Sequence, residues 1–313
     1  MKNTTEIKLN NLLDVVKRFP TEESCREYLE QIRWNGKPVC PHCNYSEKIY
    51  RLNSGKLYKC GNPECYKPFS IKIGTIFEDS ALPLQKWFHA MFVVSAHKKG
   101  ISSYQLARDI GVTQKTAWHM LHRIRLSMKT KSFNKPLDGT IECDETYVGG
   151  KHRGKRGRGS ENKTPVFGMV ARGGDLRTMP IEDVKHKTLH GLINEHIAKG
   201  STIMTDELPS YNGLSLNYIH ERISHLKKQY VQGGTHTQNI ENFWSLLKRG
   251  IIGIYHHVSP EHLHRYCDEF EHRYNSRKTE DAQRFSRLLS RCEGRLMYRD
   301  LVAVNGLPTI SRQ

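Results

Sequence analysis

The sequence contains no long hydrophobic run and comparatively few acidic residues. Its longest apolar stretch, near Trp87 to Ala96, is interrupted by His89 and falls short of the roughly 18 residues that a membrane span needs. The first residues, Met1 to Asn11, mix Lys, Glu and Asn without an apolar core, so no secretory signal is predicted and an intracellular protein is expected. A chain of 313 residues with 37% hydrophobic content should fold into about two packed units.

The shortage of acids leaves a strongly basic chain. Lys and Arg number 49 against 32 Asp and Glu, which gives a formal net charge of +17. Such a surplus favours a polyanionic partner, and nucleic acid fits because neutralised phosphates release their condensed counterions. A membrane-surface protein would instead carry a basic amphipathic helix with a strong apolar face. No segment has that pattern, so no membrane partner is predicted.

Half of the cysteines lie in one short cluster, and the other four are scattered. The cluster consists of two close pairs separated by enough chain for a small hairpin: Cys40, Cys43, Cys60 and Cys65. Two such pairs are typical of a zinc ribbon, in which four thiolates hold one tetrahedral Zn²⁺ and leave no open position for catalysis. Disulfides are the alternative, which a reduced compartment disfavours. His42 is an alternative ligand that a full set of thiols does not require. The prediction is one structural zinc ion.

Two short helices joined by a turn are predicted after the cluster. Ser102 or Ser103 can cap the first helix, Gly111 can end it and Thr113 can cap the second. This outline favours a helix-turn-helix, whose second helix would enter the major groove of DNA; an ordinary helical hairpin is the alternative. The candidate DNA-binding residues of the second helix are Gln114, Lys115 and Arg123.

Near residues 129–138 the pattern changes to short strands separated by turns. The predicted strand over residues 140–148 carries three acids, and strand alternation places Glu142 and Asp144 on one face and Glu145 on the other. Acids on a central strand require a compensating cation or an exposed edge.

The segment after this strand is concentrated in positive charge. It has five Lys or Arg side chains within eight residues, which an acidic partner explains better than a solvated hairpin tip. The candidate DNA-binding residues of this loop are Lys151, Arg153, Lys155, Arg156 and Arg158.

Further carboxylates follow at the ends of predicted elements. Asp206 and Glu207 end a short apolar strand, and Glu241 lies on an amphipathic helix with Lys248 two turns later on the same face. Clustered acids repel one another unless divalent cations neutralise them, and Mg²⁺ prefers oxygen ligands. Three such carboxylates are typical of a site with two Mg²⁺ ions that transfers phosphoryl groups, with Mn²⁺ as a substitute. The residues alone leave three acids as alternative members: Glu142, Glu145 and Glu207.

Several motifs resemble the ISXO2-like transposases of IS1595-type insertion sequences. They are the Cys-Pro-His-Cys of the cluster, Gly74 to Phe77, Leu84 to Trp87, Asp144 to Lys151, His236 to Arg249, and Arg273 to Asn275. This resemblance extends over most of the chain. It implies an α/β fold in which an RNase H-like mixed-sheet catalytic domain of the DDE type follows a zinc ribbon and a helix-turn-helix module.

The same resemblance implies roles for individual residues. Asp144, Asp206 and Glu241 would be the metal-binding catalytic triad, and Lys248 the basic residue that follows it. Between Asp206 and Glu241 lie 34 residues, 207 to 240, a spacing common among DDE recombinases. Some relatives have Asn at the third acidic position, whereas Glu241 matches the acidic form.

The implied activity is a cut-and-join reaction on DNA. The enzyme would bind terminal inverted repeats, cleave phosphodiester bonds and transfer the 3′-OH ends to target DNA. Double-stranded DNA is the expected partner, and the need to handle two ends together implies a homodimer or larger synaptic assembly at the nucleoid of a prokaryotic cytoplasm. A non-catalytic DNA-binding regulator would leave the acids unexplained, and an RNase H-like nuclease would share the metals but only hydrolyse.

The predicted boundaries divide the chain into five segments. They are an N-terminal helical segment (1–36), the zinc ribbon (37–80), the helix-turn-helix domain (81–130), the catalytic domain (138–280) and a C-terminal helical segment (281–313).

Overall fold

The structure is a computed structural model that describes residues 9–129, 135–149, 163–223 and 237–302. The chain divides into two compact units, one formed by Met1–Met128 with Thr279–Gln313 and the other by Lys129–Lys278. The basic loop predicted to bind DNA, with Lys151, Arg153, Lys155, Arg156 and Arg158, lies outside the described residues. Across the described ranges, the helices lack the combination of length and apolar character that a bilayer span requires.

The first unit carries α1 to α5, β1 to β3, α9 and α10, and the second carries the rest. In chain order the elements are α1 (Leu12–Arg18), α2 (Glu22–Trp34), β1 (Ile49–Leu52), β2 (Leu57–Cys60), β3 (Pro68–Phe69), α3 (Leu84–Ala96), α4 (Ser103–Ile110), α5 (Gln114–Met128), β4 (Thr140–Val148), β5 (Thr164–Ala171), β6 (Leu176–Pro180), α6 (His186–His196), β7 (Thr202–Thr205), β8 (Ile219–Arg222), α7 (Gln238–Gly250), α8 (Pro260–Asn275), α9 (Asp281–Ser290) and α10 (Tyr298–Val302). Short 3₁₀ turns at Pro209–Tyr211 and Leu214–Leu216 connect β7 to β8, and a π-helical turn at Ile251–Tyr255 follows α7.

The core of the first unit forms around α3. This helix is apolar on nearly all sides, as expected for a helix enclosed by its neighbours, and Trp87, Phe88 and Met91 are buried. The C-terminal helix α9 packs against it, with the ring of Phe285 5.8 Å from that of Phe88. Backbone hydrogen bonds from Ile76 N to Cys292 O and from Gly294 N to Gly74 O, both under 3 Å, join the segment after α9 to the loop after the ribbon.

The segments predicted separately as 1–36, 37–80, 81–130 and 281–313 therefore share one core. The reason is that a single amphipathic helix cannot bury its own apolar face, and α9 packs that face against α3. A local reading of the sequence cannot detect a partner that lies about two hundred residues away along the chain.

The predicted caps of the two short helices are present. Ser102 Oγ accepts a hydrogen bond of 3.1 Å from the backbone of Gln105, and Gly111 ends α4 in the left-handed region with φ 63°. Thr113 Oγ1 accepts one of 3.3 Å from Thr116 N at the start of α5. These contacts satisfy groups that a helix end leaves unpaired, and they fix the turn between α4 and α5.

In the second unit, five described strands form one mixed sheet in the order β6-β5-β4-β7-β8. The strands β6, β5 and β4 pair antiparallel, whereas β4, β7 and β8 run parallel. This arrangement confirms the RNase H-like mixed sheet. Strand β8 is an addition to the predicted elements, because its four residues, Ile-His-Glu-Arg, have no clear strand pattern.

The two faces of this sheet carry separate cores. Val166 and Val170 of β5 face Ile240 and Phe243 of α7 on one side, where α8 also packs. Phe167 and Met169 face α6 on the other side.

The Arg273 to Asn275 motif belongs to the end of α8. The Asn275 side chain accepts from Leu176 N at 2.8 Å and donates to Leu176 O at 2.9 Å. Arg273 pairs with Glu269 one turn earlier at 2.6 Å. This motif holds the edge strand β6 in place and so has a structural role here.

Candidate active site

Asp144 and Asp206 come together at neighbouring strand ends. Glu142 of β4 is paired with Met204 of β7, and the same parallel register continued by two residues places Asp144 beside Asp206. A carboxylate oxygen from each of these two, together with one from Glu145, lies within 4.8 Å of the others. Three oxygen donors within reach of a common ion are a donor set that suits a hard divalent cation.

Glu145 joins this group from the other face of β4. The side chain is buried, and its carboxylate accepts a hydrogen bond of 2.9 Å from the hydroxyl of Tyr211, which lies in the 3₁₀ turn after β7. Burial, reinforced by the charge of Glu145, raises the pKa of Tyr211 well above its ordinary value. Tyr211 therefore remains a donor and orients Glu145, whereas the sequence indicated Glu145 only as an alternative.

The pKa of Asp144 is strongly raised in this environment. Burial is the main cause, and with the charges of Glu145 and Asp206 it raises the pKa of Asp144 to about 7. The indole N–H of Trp244 on α7 donates to Asp144 Oδ2 at 2.9 Å and acts in the opposite direction. Carboxylates whose charges oppose one another in this way are stabilised by a divalent cation.

One stripe of α7 faces Asp144. Trp244 contacts the carboxylate directly, and the charge of Asp144 opposes the lowering of the Lys248 pKa that desolvation causes. Glu241 lies three residues before Trp244 and seven before Lys248, which places the three side chains on one side of the helix.

Glu241 is not in the group of oxygens within 4.8 Å of one another. Its carboxylate accepts a hydrogen bond of 3.1 Å from Thr237 Oγ1 at the start of the helix. The structure thus brings together two of the three predicted triad residues and adds Glu145. The third predicted residue, Glu241, lies on α7, on the same side of the helix as Trp244 and Lys248.

Two of the alternative acids lie elsewhere. Glu207 is exposed and stays outside the carboxylate group. Glu142 is fully buried, and its carboxylate accepts hydrogen bonds from the backbone of Asn239 and Ile240 in the first turn of α7.

Gly168 allows α7 to approach the sheet. It is paired with Asp144 on β5, and a Cβ at this position would lie 2.6 Å from the Trp244 ring and 2.8 Å from Ile240 Cδ1. Neither Gly168 nor Trp244 stands out in the sequence as a site residue, because a glycine in a strand and a tryptophan on an apolar helix face are common in cores.

Replacing Gly168 with Ala should displace Trp244 and with it the stripe of α7 that faces Asp144. Overpacking of this kind costs about 1 to 3 kcal/mol of stability, and a displacement of about 1 Å at a catalytic group lowers the rate on the order of a hundredfold. Thermal unfolding and an assay of catalytic activity would measure the two effects. The matched control is Gly191→Ala on α6, where a Cβ meets nothing within 4 Å. If both variants were equally active, the close approach of α7 would not be needed for catalysis.

The cysteine cluster has the geometry of a zinc site. The four Sγ atoms lie within 4.8 Å of one another, with Cys40 to Cys65 at 3.8 Å and Cys43 to Cys60 at 3.6 Å. Sulfurs at the corners of a tetrahedron with Zn–S bonds of about 2.3 Å are about 3.8 Å apart, whereas a disulfide bond is about 2.0 Å long. The four thiols therefore fit one Zn²⁺, and none of them forms a disulfide bond in this structure.

The predicted DNA-binding residues on α5 have different environments. Lys115 is exposed at the first turn, with its ammonium 4.9 Å from the ring centre of Tyr298. Gln114 is half-buried and donates to Ser103 Oγ at 2.8 Å, which links α5 to α4.

The prediction for Arg123 is corrected. This side chain is buried, and its guanidinium donates to the carbonyl oxygens of Leu296, Ile76 and Glu78 at 2.9, 2.9 and 2.7 Å. A guanidinium held by three internal carbonyls is a structural link within the first unit. Arg123 lies beyond the first turns of α5, where the helix is enclosed by its neighbours, and so it does not form part of an exposed DNA-binding surface.

The fold and the carboxylate group together define a DDE-type enzyme with an RNase H-like catalytic domain. Residues 136–275 match the ISXO2-like transposase domain, and residues 20–67 match the transposase zinc-ribbon domain. The chain belongs to the ISXO2-like transposases of the IS1595 family.

Two relatives with similar sequences also carry names that refer to transposition. One is an uncharacterized protein in transposable element ISH50 of Halobacterium salinarum, 29% identical over 278 residues that cover 82% of this chain and 92% of that protein. The other is an uncharacterized transposase-like protein of Haemophilus influenzae, 29% identical over 100 residues that cover 32% of this chain and 80% of that protein.

Among solved structures, the Mos1 mariner paired end complex with Mn aligns at a TM-score of 0.28 and 14% identity, covering 60% of this chain and 70% of that chain. The Mos1 strand transfer complex aligns at a TM-score of 0.28 and 14% identity, covering 68% of this chain and 76% of that chain. Superpositions at this level do not define a fold.

Proposed function

We propose that this transposase binds terminal inverted repeats, cleaves the phosphodiester bonds at their ends and transfers the 3′-OH ends to target DNA. The observation that carries the proposal is the meeting of Asp144 and Asp206 at adjacent strand ends, opposite the stripe of α7 that bears Glu241 and Lys248. The first attacking group would be water and the second the freed 3′-OH, so no covalent protein intermediate is needed.

Asp144, Asp206 and Glu241 are the proposed ligands of two Mg²⁺ ions, for which Mn²⁺ can substitute. The ions would lower the barrier by activating the attacking oxygen and neutralising the leaving one. Glu145 supports Asp144 and Asp206 from the opposite face of β4, and Tyr211 holds it there. Lys248, whose ammonium is within the field of Asp144, would position a phosphate of the scissile strand.

DNA recognition is assigned to the first unit. The start of α5, with Lys115 and Gln114, would read the terminal repeats together with the ribbon. The basic segment with Lys151, Arg153, Lys155, Arg156 and Arg158 would bind DNA phosphates. Handling of two DNA ends requires a dimer or larger synaptic assembly. We place this activity at the nucleoid of a prokaryotic cytoplasm.

A strand-transfer assay tests the proposed function. Purified protein is incubated with intact or pre-cleaved terminal repeats and a supercoiled target, with and without Mg²⁺. Joined products that appear only with Mg²⁺ support the proposal. Hydrolysis without joining would identify a nuclease, and DNA binding without cleavage or joining would identify a regulator.

Replacing Lys115 with Gln should weaken binding to the terminal repeats and reduce its salt dependence. Loss of one phosphate contact lowers the slope of log K against log salt by about 0.9. Binding isotherms at several salt concentrations measure that slope. Lys199→Gln, an equal charge change at an exposed position of the second unit, is the control. An unchanged slope for the Lys115 variant would mean that this end of α5 does not contact DNA.

A further inference from the structure

Glu142 occupies an unusual place for an acid. It lies on the central strand β4, two residues before Asp144, and its side chain is completely buried. Its carboxylate accepts hydrogen bonds from Asn239 N at 2.8 Å, Ile240 N at 3.1 Å, Asn239 Nδ2 at 2.8 Å and Arg172 Nε at 3.0 Å. A buried charge that is supplied with this many donors is compensated and can be retained at a fixed position.

The carboxylate of Glu142 takes the place of a local helix cap. Thr237 precedes α7 and makes no capping hydrogen bond with its side chain. The first backbone N–H groups of a helix have no partner within the helix, and a negative charge at this end is favoured by the helix dipole. Glu142 supplies both the hydrogen-bond acceptor for these N–H groups and the negative charge, but it does so from a strand of the sheet. The contact that caps α7 is therefore also the contact that docks the helix on the sheet.

A second contact fixes α7 about its axis. Glu142 and Asp144 project from the same face of β4, and they meet α7 at Ile240 and at Trp244, one turn apart. Two contacts one turn apart set both the position of a helix along its axis and its rotation. Glu241 lies between these contacts, and Lys248 follows one turn after the second.

We propose that Glu142 is a positioning residue of the active site, which fixes α7 so that Glu241 and Lys248 face Asp144. This role rests on the proposed function, in which Asp144, Asp206 and Glu241 hold the divalent ions. Glu142 itself is not a ligand in this proposal, because its oxygens are engaged by the first turn of α7 and by Arg172.

The test measures binding of Mn²⁺ to the full-length, zinc-loaded protein without DNA, alongside thermal unfolding. Glu142→Gln keeps the size of the side chain but replaces one acceptor oxygen with an NH₂ donor, which then faces either the N–H groups of α7 or the donors of Asn239 and Arg172. The expected result is a 10- to 100-fold rise in the Mn²⁺ concentration for half saturation, the usual effect of losing a group that orients a metal ligand. Strand transfer should show the same shift in its Mn²⁺ requirement.

Glu271→Gln is the matched control. Glu271 is also buried and accepts a hydrogen bond of 3.0 Å from a backbone N–H, that of Thr178, but it lies on α8. Both variants should lose stability, whereas only the Glu142 variant should bind Mn²⁺ more weakly. An equal Mn²⁺ affinity in the two variants would overturn the positioning role.

Two further variants keep the result interpretable. Asp144→Asn should remove the Mn²⁺ binding altogether, and if it does not, the proposed function fails. If Asp144→Asn loses Mn²⁺ binding but Glu142→Gln leaves the Mn²⁺ affinity unchanged, only the role of Glu142 is overturned. Should Glu142→Gln not fold, Asn239→Ala removes the hydrogen bond from Asn239 Nδ2 and leaves Glu142 itself unchanged. A shift of the same sign is then expected, and unchanged affinity would reject the proposal.

Discussion

Asp144→Asn is expected to lower strand cleavage and strand transfer on the order of a thousandfold, the upper range for loss of one group that stabilises transition-state charge. Asn retains an oxygen that can accept from the Trp244 indole, so that the docking of α7 is preserved. What disappears is the negative charge that draws a cation to the meeting point of β4 and β7. Cleavage of labelled terminal repeats measures the effect.

The same substitution should stabilise the protein in the absence of divalent ions. The pKa of Asp144 is about 7 in the folded protein, against an ordinary value of 3.8. Between these pH values the unfolded chain gives up its proton first, so ionisation of Asp144 lowers the stability of the folded state as the pH rises. Asp144→Asn should therefore be more stable than the wild type at pH 8, by between about 1 and 4 kcal/mol, and show little difference near pH 4.

Denaturant unfolding of the zinc-loaded protein at the two pH values measures this difference. The control is Glu207→Gln, which removes an exposed carboxylate next to Asp206 and should change neither activity nor stability. A stability gap that is the same at both pH values would show that the carboxylate is not perturbed. Full activity in the Asp144 variant would remove Asp144 from the catalytic group.

Cys43→Ser is expected to release the zinc ion and to abolish binding of the terminal repeats. Cys43 is exposed and its sulfur lies 3.6 Å from that of Cys60. A hydrogen bond from the backbone of Tyr45 is the main cause that lowers its thiol pKa to about 7, which favours the thiolate that a metal requires. Structural zinc contributes on the order of 10 kcal/mol to a module of this size, so its loss should unfold the ribbon.

Zinc content by mass spectrometry and DNA binding at a fixed salt concentration report the two effects. His42→Ala is the matched control, because His42 lies between two of the cysteines, is exposed and was the alternative ligand. It should keep one zinc ion per chain and bind DNA normally. Retention of zinc by Cys43→Ser together with its loss from His42→Ala would reassign the ligands.

The sequence allows accurate prediction where the determining contacts are local. Ser102, Gly111 and Thr113 act within one helical turn, and the ends of α4 and α5 follow from them. Alternation along β4 correctly separates Asp144 from Glu145, and the apolar strand before Asp206 predicts its position at a strand end. The meeting of Asp144 with Asp206 then follows from the parallel pairing of their strands.

Contacts between distant segments explain what the sequence does not reveal. Arg123 is predicted to bind DNA, but its guanidinium donates to carbonyl oxygens that are supplied by residues near 76 and 296. Glu142 looks like another candidate ligand, and only the placement of α7 shows that its carboxylate is used as a cap. The role of Gly168 likewise depends on Trp244, which is 76 residues away along the chain.

In the proposed function, Asp144 and Asp206 hold the cation at which DNA strands are cut and joined. Crystals of the protein with its terminal-repeat DNA, soaked in Mn²⁺, would locate that ion by its anomalous scattering. A manganese peak in contact with oxygens of both aspartates, with Glu241 turned toward it from α7, is the predicted result. Manganese bound away from both aspartates, in a complex competent for strand transfer, would show that these two residues do not hold the catalytic ion.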